Sequence, residues 1–355
     1  MASITKRPDG RWRARYRDAA GKEHAKHFAR KVDGQRWLDE VTASMVTGNY
    51  TDPRTARTTV GEWCETWLAG YATRRPSTVR QARVHMAQIT AEFGAMPLSA
   101  VRPSHVKSWT SRLRGDGLAA SYVYALHGRL AQVFADAVHD GIVPRSPCSR
   151  RTSPGAGKQR PYCATTEQVW ALHDAMPSRL RPAILLGAFA GLRCAEACGL
   201  RLADVDFMRG LITPAVQYPA EPLKTETSRT PVPVSRSLAN ELAKDVAGEW
   251  LLKGDGGGQL STWALERAVR AARGKVGGLP AGFRYHDLRH YFASLLIADG
   301  ADVKTVQARL RHASGKTTLD TYGHLWPDKD ESTRATVEAV FTARADSLRT
   351  SAGQR

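Results

Sequence analysis

The sequence predicts a multidomain, mainly α-helical protein. It should have a small α+β N-terminal domain, a helical second domain, and a mixed, mostly α third domain with a small β-sheet. Three observations carry that expectation. At 355 residues the chain is long enough for two or three domains of ordinary size. Apolar residues recur at helical spacing through most of it, while strand-like alternation shows clearly at Arg11–Arg17. A stretch rich in Pro, Gly and Arg, Pro144–Arg160, reads as a linker. The expected divisions are 1–57, 58–150, a linker over 151–161, a third domain over 162–342, and a polar tail over 343–355.

Each element follows from local pattern. From Arg11 to Arg17, Trp12, Ala14 and Tyr16 fall on one side of a strand and Arg11, Arg13, Arg15 and Arg17 on the other. A turn at Ala20-Gly21-Lys22 leads to a second strand ending near Phe28. A helix then carries Trp37, Leu38, Val41 and Met45 on one side, with Gly48 as its stop. The four arginines make either a solvated basic face or a sheet laid against nucleic acid.

In the second domain, Val60, Trp63, Cys64, Trp67 and Leu68 have helical spacing. Ser77 is expected to cap a helix that turns Val79, Ala82, Met86 and Ile89 inward. Arg74, Arg75, Thr78, Arg80 and Arg83 then lie on its entry loop and outer face. A third helix holds Val106, Trp109 and Leu113. A fourth runs from about Ser121 to His139 and ends at Gly141. The third domain reads as helical, with a β-rich insert over Leu211–Val234 whose prolines suit short edge strands.

Composition narrows the class of partner. With 42% hydrophobic and 24% charged residues the chain can build packed cores, which excludes a disordered polycation. Its net charge of +18 points to a polyanion, either nucleic acid or an anionic membrane surface. Residues 1–57, 58–155 and 156–355 each carry +6, so the excess is not a basic tail on a neutral protein. The longest apolar stretch, Ala183–Leu192, is broken by Gly187 and Gly191 and is too short to span a bilayer. No apolar segment follows Lys6, Arg7, Arg11 and Arg13, so no signal peptide is expected. Five cysteines without a C-x-x-C pattern suit free thiols in a reducing cytoplasm. Cys194 and Cys198 could share a helix face, but two ligands do not make a metal site.

The chemistry concentrates in the third domain. Arg193 opens a helix after the apolar stretch. Lys224 sits at a hairpin turn. Tyr285-His286-Asp287-Leu288-Arg289-His290 opens another helix, which continues to Gly300. His312 follows Leu310-Arg311, and Tyr322 follows Leu319-Asp320-Thr321. On a helix His286 and Arg289 share a face, with His290 beside them. That face admits three readings. In the first they are ordinary surface or core residues. In the second His286 and His290 bind a metal at i, i+4, although Asp287 is a short substitute for Glu and Arg289 puts a positive charge beside the cation. Or two arginines, a lysine and two histidines form an anion site for a phosphorane-like transition state. In the last case Tyr322 is a nucleophile activated by positive charge that lowers its pKa from about 10.

Taken in order, Arg193, Lys224, His286, Arg289, His312 and Tyr322 resemble the active-site set of the tyrosine recombinases, or phage integrases. The spacings match: 96 residues between the arginines, 23 from Arg289 to His312, and 10 from His312 to Tyr322. So do Gly191-Leu192-Arg193-x-x-Glu196, His286-Asp287-Leu288-Arg289-His290 and Thr318-Leu319-Asp320-Thr321-Tyr322-Gly323-His324. The resemblance covers nearly the whole chain. It implies an arm-type DNA-binding domain over 1–57, a core-site DNA-binding domain over 58–150, and a catalytic domain over 162–342. Arg11, Arg13, Arg15 and Arg17 would grip arm sites. Arg74, Arg75, Ser77, Thr78, Arg80 and Arg83 would grip the core site.

The implied reaction begins with attack by Tyr322 on a phosphodiester, giving a 3′-phosphotyrosyl link and a free 5′-hydroxyl. Arg193 and Arg289 would clamp the phosphate, Lys224 would protonate the leaving oxygen, and His286 and His312 would assist proton transfer. Glu196 would be structural. No cofactor and no metal are implied. The implied partners are double-stranded DNA, a homotetramer on that DNA, and an accessory directionality or DNA-bending protein, all in a bacterial cytoplasm at the nucleoid. A type IB topoisomerase-like relaxase and a non-catalytic DNA-binding regulator on the same fold are the rival readings. One departure stands out: Arg311 occupies the place where the family has Gly before its His. It adds positive charge and gives up a backbone freedom.

Overall fold

The computed structural model describes residues 2–18, 21–47, 57–157, 161–223, 225–245, 247–326, 337–340 and 342. Lys224, Gly48, the Ala20 turn position and the 343–355 tail lie outside them. The chain divides into two units, Met1–Lys158 and Gln159–Arg355. Among the described residues no helix is long and apolar enough to cross a membrane.

The first unit begins with an antiparallel sheet in the order β1 (Ser3–Lys6), β2 (Trp12–Arg17), β3 (Glu23–Phe28). The alternation in β2 does what period two requires: Ala14 and Tyr16 are buried and Arg15 and Arg17 are exposed. Helix α1 (Lys31–Val46) buries Leu38 against Ala14 and Tyr16, with Trp37, Val41 and Met45 packed around them. Strand β1 has no counterpart in the sequence expectation. Its four residues, Ser-Ile-Thr-Lys, are too few to show a period, and pairing with β2 (Ser3 opposite Arg15, Lys6 opposite Trp12) defines it.

Four helices with a core of their own follow: α2 (Val60–Tyr71), α3 (Pro76–Phe93), α4 (Pro103–Gly115) and α5 (Ala120–His139). Thr59 caps α2 reciprocally with Glu62. Helix α3 buries Val79, Ala82, Met86 and Ile89, as their spacing predicts, but Ser77 is not its cap. Pro76 is already the first helical residue, because its fixed φ suits that position and its missing N–H costs nothing there. Arg75 takes the cap position, and Ser77 lies exposed in the first turn.

The second unit is built on α7 (Arg181–Ala190) packed against α11 (Tyr285–Ala298). Their approach is close: a Cβ on Gly187 would come within 2.9 Å of Leu288 Cδ1. Helices α6 (Thr166–Ala175), α8 (Cys194–Cys198), α9 (Arg236–Leu242) and α10 (Thr262–Arg273) complete that core. Between α8 and α9 lies a three-stranded antiparallel sheet ordered β4 (Val205–Asp206), β5 (Leu211–Ile212), β8 (Val232–Pro233). The hairpin β6 (Val216–Gln217) and β7 (Glu221–Pro222) completes the insert. Each strand is two residues long, in keeping with the prolines. Helices α12 (Val303–Leu310) and α13 (Gly315–Tyr322) form a smaller cluster with the end of α11, through Phe292, Ile297, Val306, Leu310 and Tyr322. Residues 337–340 are helical, with Val337 and Val340 exposed.

Candidate active site

The site assembles from two chain reversals, one helix face and the end of a second helix. The first reversal ends α7, where Gly191 is left-handed at φ 60°. A side chain there would be strained, and its Cβ would sit 2.6 Å from the Phe292 ring. The turn brings Arg193 to the N-cap of α8. There its backbone N–H donates to Glu196 Oε2 at 2.9 Å and its guanidinium donates to Glu196 Oε1 at 2.7 Å. The same guanidinium reaches Ser228 Oγ at 3.2 Å and the Arg311 carbonyl at 3.3 Å.

The second reversal ends α12. Arg311 is left-handed, φ 52° and ψ 46°, so this backbone takes the conformation a glycine would give despite its side chain. That side chain turns inward, fully buried, and donates to Glu196 Oε2 at 2.7 Å. Glu196 is therefore shared by two arginines. Burial alone would push its carboxyl up, but Arg311 and Arg193 outweigh burial and hold it below the ordinary carboxylate value. The expected structural role of Glu196 takes this concrete form.

The helix face belongs to α11. Arg289, 1% exposed, donates to the carbonyls of Gly191 and Leu310 and so ties both reversals to the helix. Burial, then the neighbouring Arg193, lowers it to about 9. His286 and His290 stand one turn apart with rings edge to face, centroids 5.0 Å apart. Tyr322, the last residue of α13, lies against this face. Its hydroxyl lies 2.7 Å from His290 Nδ1. His312 lies parallel to the Tyr322 ring, centroids 6.4 Å apart, and its Nδ1 is held by Thr318 Oγ1 at 3.0 Å.

The structure thus brings together five of the six expected catalytic residues: Arg193, His286, Arg289, His312 and Tyr322. The sixth, Lys224, is outside the described residues, although Ser228, four residues on, touches Arg193. Two partners stand in the motifs but outside the six-residue set: His290, on the Tyr322 hydroxyl, and Thr318, on His312 Nδ1.

The electrostatics correct one expectation. Tyr322 is not lowered below 10. It is 2% exposed, and burial outweighs the attraction of Arg289, pushing it up to about 12. The histidines move the other way. Burial first, then the surrounding positive charge, lowers His286, His290 and His312 each to about 4. Near neutral pH they are uncharged hydrogen-bonding groups, and the fixed positive charge of the described site is that of the arginines. Among the described residues no three His, Cys, Asp or Glu side chains gather as metal ligands would.

The expected DNA-binding residues lie in the first unit. Arg15 and Arg17 are exposed on β2. Arg13 and Arg15 lean on Glu23 of β3 at 3.1 and 3.7 Å, and Arg15 also donates to Ser3 Oγ at 2.8 Å. Arg11 is exposed just before the strand, with its backbone N–H on Asp9. Arg74, Arg75, Ser77, Arg80 and Arg83 are exposed and Thr78 half-buried around the start of α3.

Two family models match the chain: "Phage integrase family" over residues 164–328, which holds the site, and "Phage integrase, N-terminal domain" over 2–47. The chain is 26% identical to the prophage phiRv2 integrase of Mycobacterium tuberculosis, over 92% of both chains. It is 29% identical to the tyrosine recombinase XerC of a Methylobacterium species, over 73% of this chain and 88% of that one. Its fold matches the Tn1549 transposon integrase solved with transposon right end DNA, with TM-score 0.68 and 19% identity over 80% and 99% of the two chains. It also matches a lambda integrase dimer bound to a COC′ core site, with TM-score 0.62 and 19% identity over 92% and 96%. Fold and sequence define a site-specific DNA recombinase. The chain belongs to the phage integrase family, the tyrosine recombinases.

Proposed function

We propose that this recombinase integrates and excises a phage or mobile element through a 3′-phosphotyrosyl intermediate on Tyr322. The observation that carries the reading is that four separate helices and turns bring Tyr322, three histidines and two arginines into one linked cluster, with His290 on the Tyr322 hydroxyl and His312 beside its ring. Attack by the Tyr322 oxygen forms the link to phosphorus, and the 5′ oxygen leaves. Arg193 and Arg289 bind the non-bridging oxygens, and their planar guanidinium forks suit that task better than ammonium groups. Arg289 must turn its fork from two backbone carbonyls to the phosphate, or share it. His286 and His312 hydrogen-bond the phosphate, and Lys224 protonates the leaving oxygen. Reversal by the partner strand's 5′-hydroxyl conserves the bond energy, so the reaction needs no cofactor.

Residues 1–57 bind arm sites through Arg11, Arg13, Arg15 and Arg17. Residues 58–150 grip the core site through Arg74, Arg75, Ser77, Thr78, Arg80 and Arg83. A lambda integrase tetramer bound to a Holliday junction has the same fold at TM-score 0.60, which supports a homotetramer on two duplexes for this chain. An accessory directionality or DNA-bending protein and a place at the nucleoid in the cytoplasm complete the reading.

The test is covalent trapping on a nicked duplex carrying the element's own attachment sequence. Wild-type protein should form an adduct in excess EDTA, and Tyr322→Phe should form none while binding the duplex with unchanged affinity. An adduct that survives in Tyr322→Phe refutes Tyr322 as the nucleophile.

A further inference from the structure

Tyr322 must lose its proton before its oxygen can attack phosphorus, and its surroundings hold that proton on. A phenol pushed up to about 12 is ionised in roughly one molecule in 10⁵ at pH 7. The nucleophile therefore needs a base within hydrogen-bond reach. Three histidines surround it, and their geometries differ. His312 lies parallel to the phenol ring with its Nδ1 engaged by Thr318. His286 meets His290 edge to face, and among the described residues it has no hydrogen bond to Tyr322. His290 places Nδ1 2.7 Å from the hydroxyl.

We propose that His290 is the general base for Tyr322, taking the phenolic proton on Nδ1 as the oxygen attacks. The inference rests on the function proposed above and adds to it a residue outside the six-residue set. A second observation supports it. The His290 ring also lines a cleft of about 640 Å³ with Pro161, Tyr162, Pro280, Gly282, Phe283 and Asp287. The cleft offers a proton received from Tyr322 a way out to solvent.

The step balances. The Tyr322 O–H proton moves to His290 Nδ1 and the phenolic oxygen bonds to phosphorus. The P–O5′ bond breaks with its electron pair on the 5′ oxygen, which is protonated by the acid assigned above to Lys224. In rejoining, His290 returns a proton to the phenolate. The charged and titratable groups around His290 are His286, Asp287 and Arg289 on its own helix, Tyr322 on α13, and His312 on the loop before α13. Burial and Arg289 keep His290 neutral, and the tautomer that carries its proton on Nε2 leaves Nδ1 able to accept from the Tyr322 hydroxyl. The negative charge of an arriving phosphate raises it toward the range where a base works best.

The experiment measures single-turnover adduct formation by full-length protein on the nicked attachment duplex. His290→Ala should slow it about 10²- to 10⁴-fold near pH 7 without weakening DNA binding. Added imidazole should restore part of the rate, as should raising the pH, because each pH unit on the way to about 12 ionises roughly ten times more of the phenol. His290→Gln, which keeps a hydrogen-bonding side chain but cannot take the proton, should be as slow and should recover with pH. This second variant decides the matter if the alanine fails to fold. A rate within threefold of wild type overturns the proposal. So does a loss that neither imidazole nor alkaline pH repairs, because that would mark His290 as positioning only. An adduct abolished by Tyr322→Phe but untouched by the His290 variants refutes His290 alone. An adduct that persists in Tyr322→Phe refutes the underlying function, and His290 with it.

Discussion

The Arg311 guanidinium meets the Glu196 carboxylate at 2.7 Å with both side chains out of solvent, on a backbone held left-handed at φ 52°. Two opposed effects meet there. A left-handed residue with a Cβ costs about 1–2 kcal/mol. Removing one partner of a buried ion pair typically costs about 3–5 kcal/mol, moderated here because Arg193 still holds Glu196. Arg311→Gly loses the pair but relieves the backbone, for a net loss of about 2 kcal/mol. Arg311→Ala loses the pair and keeps the strain, and should be about 1 kcal/mol worse. Urea midpoints of the two variants check the order. An alanine variant as stable as the glycine one would show that the backbone carries no strain.

Glu196 gives a prediction in pH. Its carboxyl is held below the ordinary 4.5 in the folded protein, so the folded state binds fewer protons than the unfolded one below that value. The stabilisation is fully present above pH 4.5 and is lost as pH falls through the lower folded value. Glu196→Gln should remove this contribution, giving a protein less stable near neutral pH whose stability falls less steeply below pH 4.5. Parallel curves for wild type and variant in acid-dependent urea unfolding would contradict the shared-carboxylate account.

What the sequence made legible was period and order. The stripes of α2, α3 and α5 and the alternation of β2 are local patterns, and local patterns survive folding. So did the order Arg193, His286, Arg289, His312, Tyr322, because that spacing carries a family resemblance. Properties set by tertiary neighbours were not legible. Strand β1 exists by pairing with β2. The cap of α3 fell to Arg75 because Pro76 was already helical. The sign of the Tyr322 shift depends on burial against charge, and burial is invisible until α11 and α13 meet. Arg311 showed a change at a glycine position, but only the fold shows its side chain turning inward to Glu196.

The three site histidines predict a second pH dependence, at higher pH. Each is lowered from 6.5 to about 4, so the unfolded chain takes up protons first as pH falls. Their contribution to stability is complete above about pH 6.5 and is lost between there and about pH 4. DNA should reverse the effect at His286 and His312, because a phosphate hydrogen-bonded to those two rings favours their protonated forms. Binding to the attachment duplex should therefore take up protons, with affinity rising from pH 7.5 to 6 at constant salt. His286→Asn with His312→Asn should flatten both dependences. Calorimetry in buffers of different ionisation enthalpy counts the protons directly, and an uptake of zero would place the phosphate elsewhere.

The basic face around α3 can be separated from ordinary solvated charge by its salt dependence. If Arg74, Arg75, Arg80 and Arg83 each neutralise a phosphate, binding releases counterions and the log–log slope of affinity against salt steepens by about 0.9 per contact. Replacing all four with alanine should make the slope shallower by up to roughly 3.6 on the core site. On the N-terminal sheet the effects should be unequal. Arg13 and Arg15 already lean on Glu23, so each gives up part of an existing contact to reach a phosphate. Arg17→Ala should therefore weaken arm-site binding more than Arg13→Ala, and Glu23→Gln should strengthen it by freeing both neighbours. Deleting residues 1–57 should abolish arm binding while sparing the core site. Equal losses at both sites would mean that the sheet and the helices grip the same stretch of DNA.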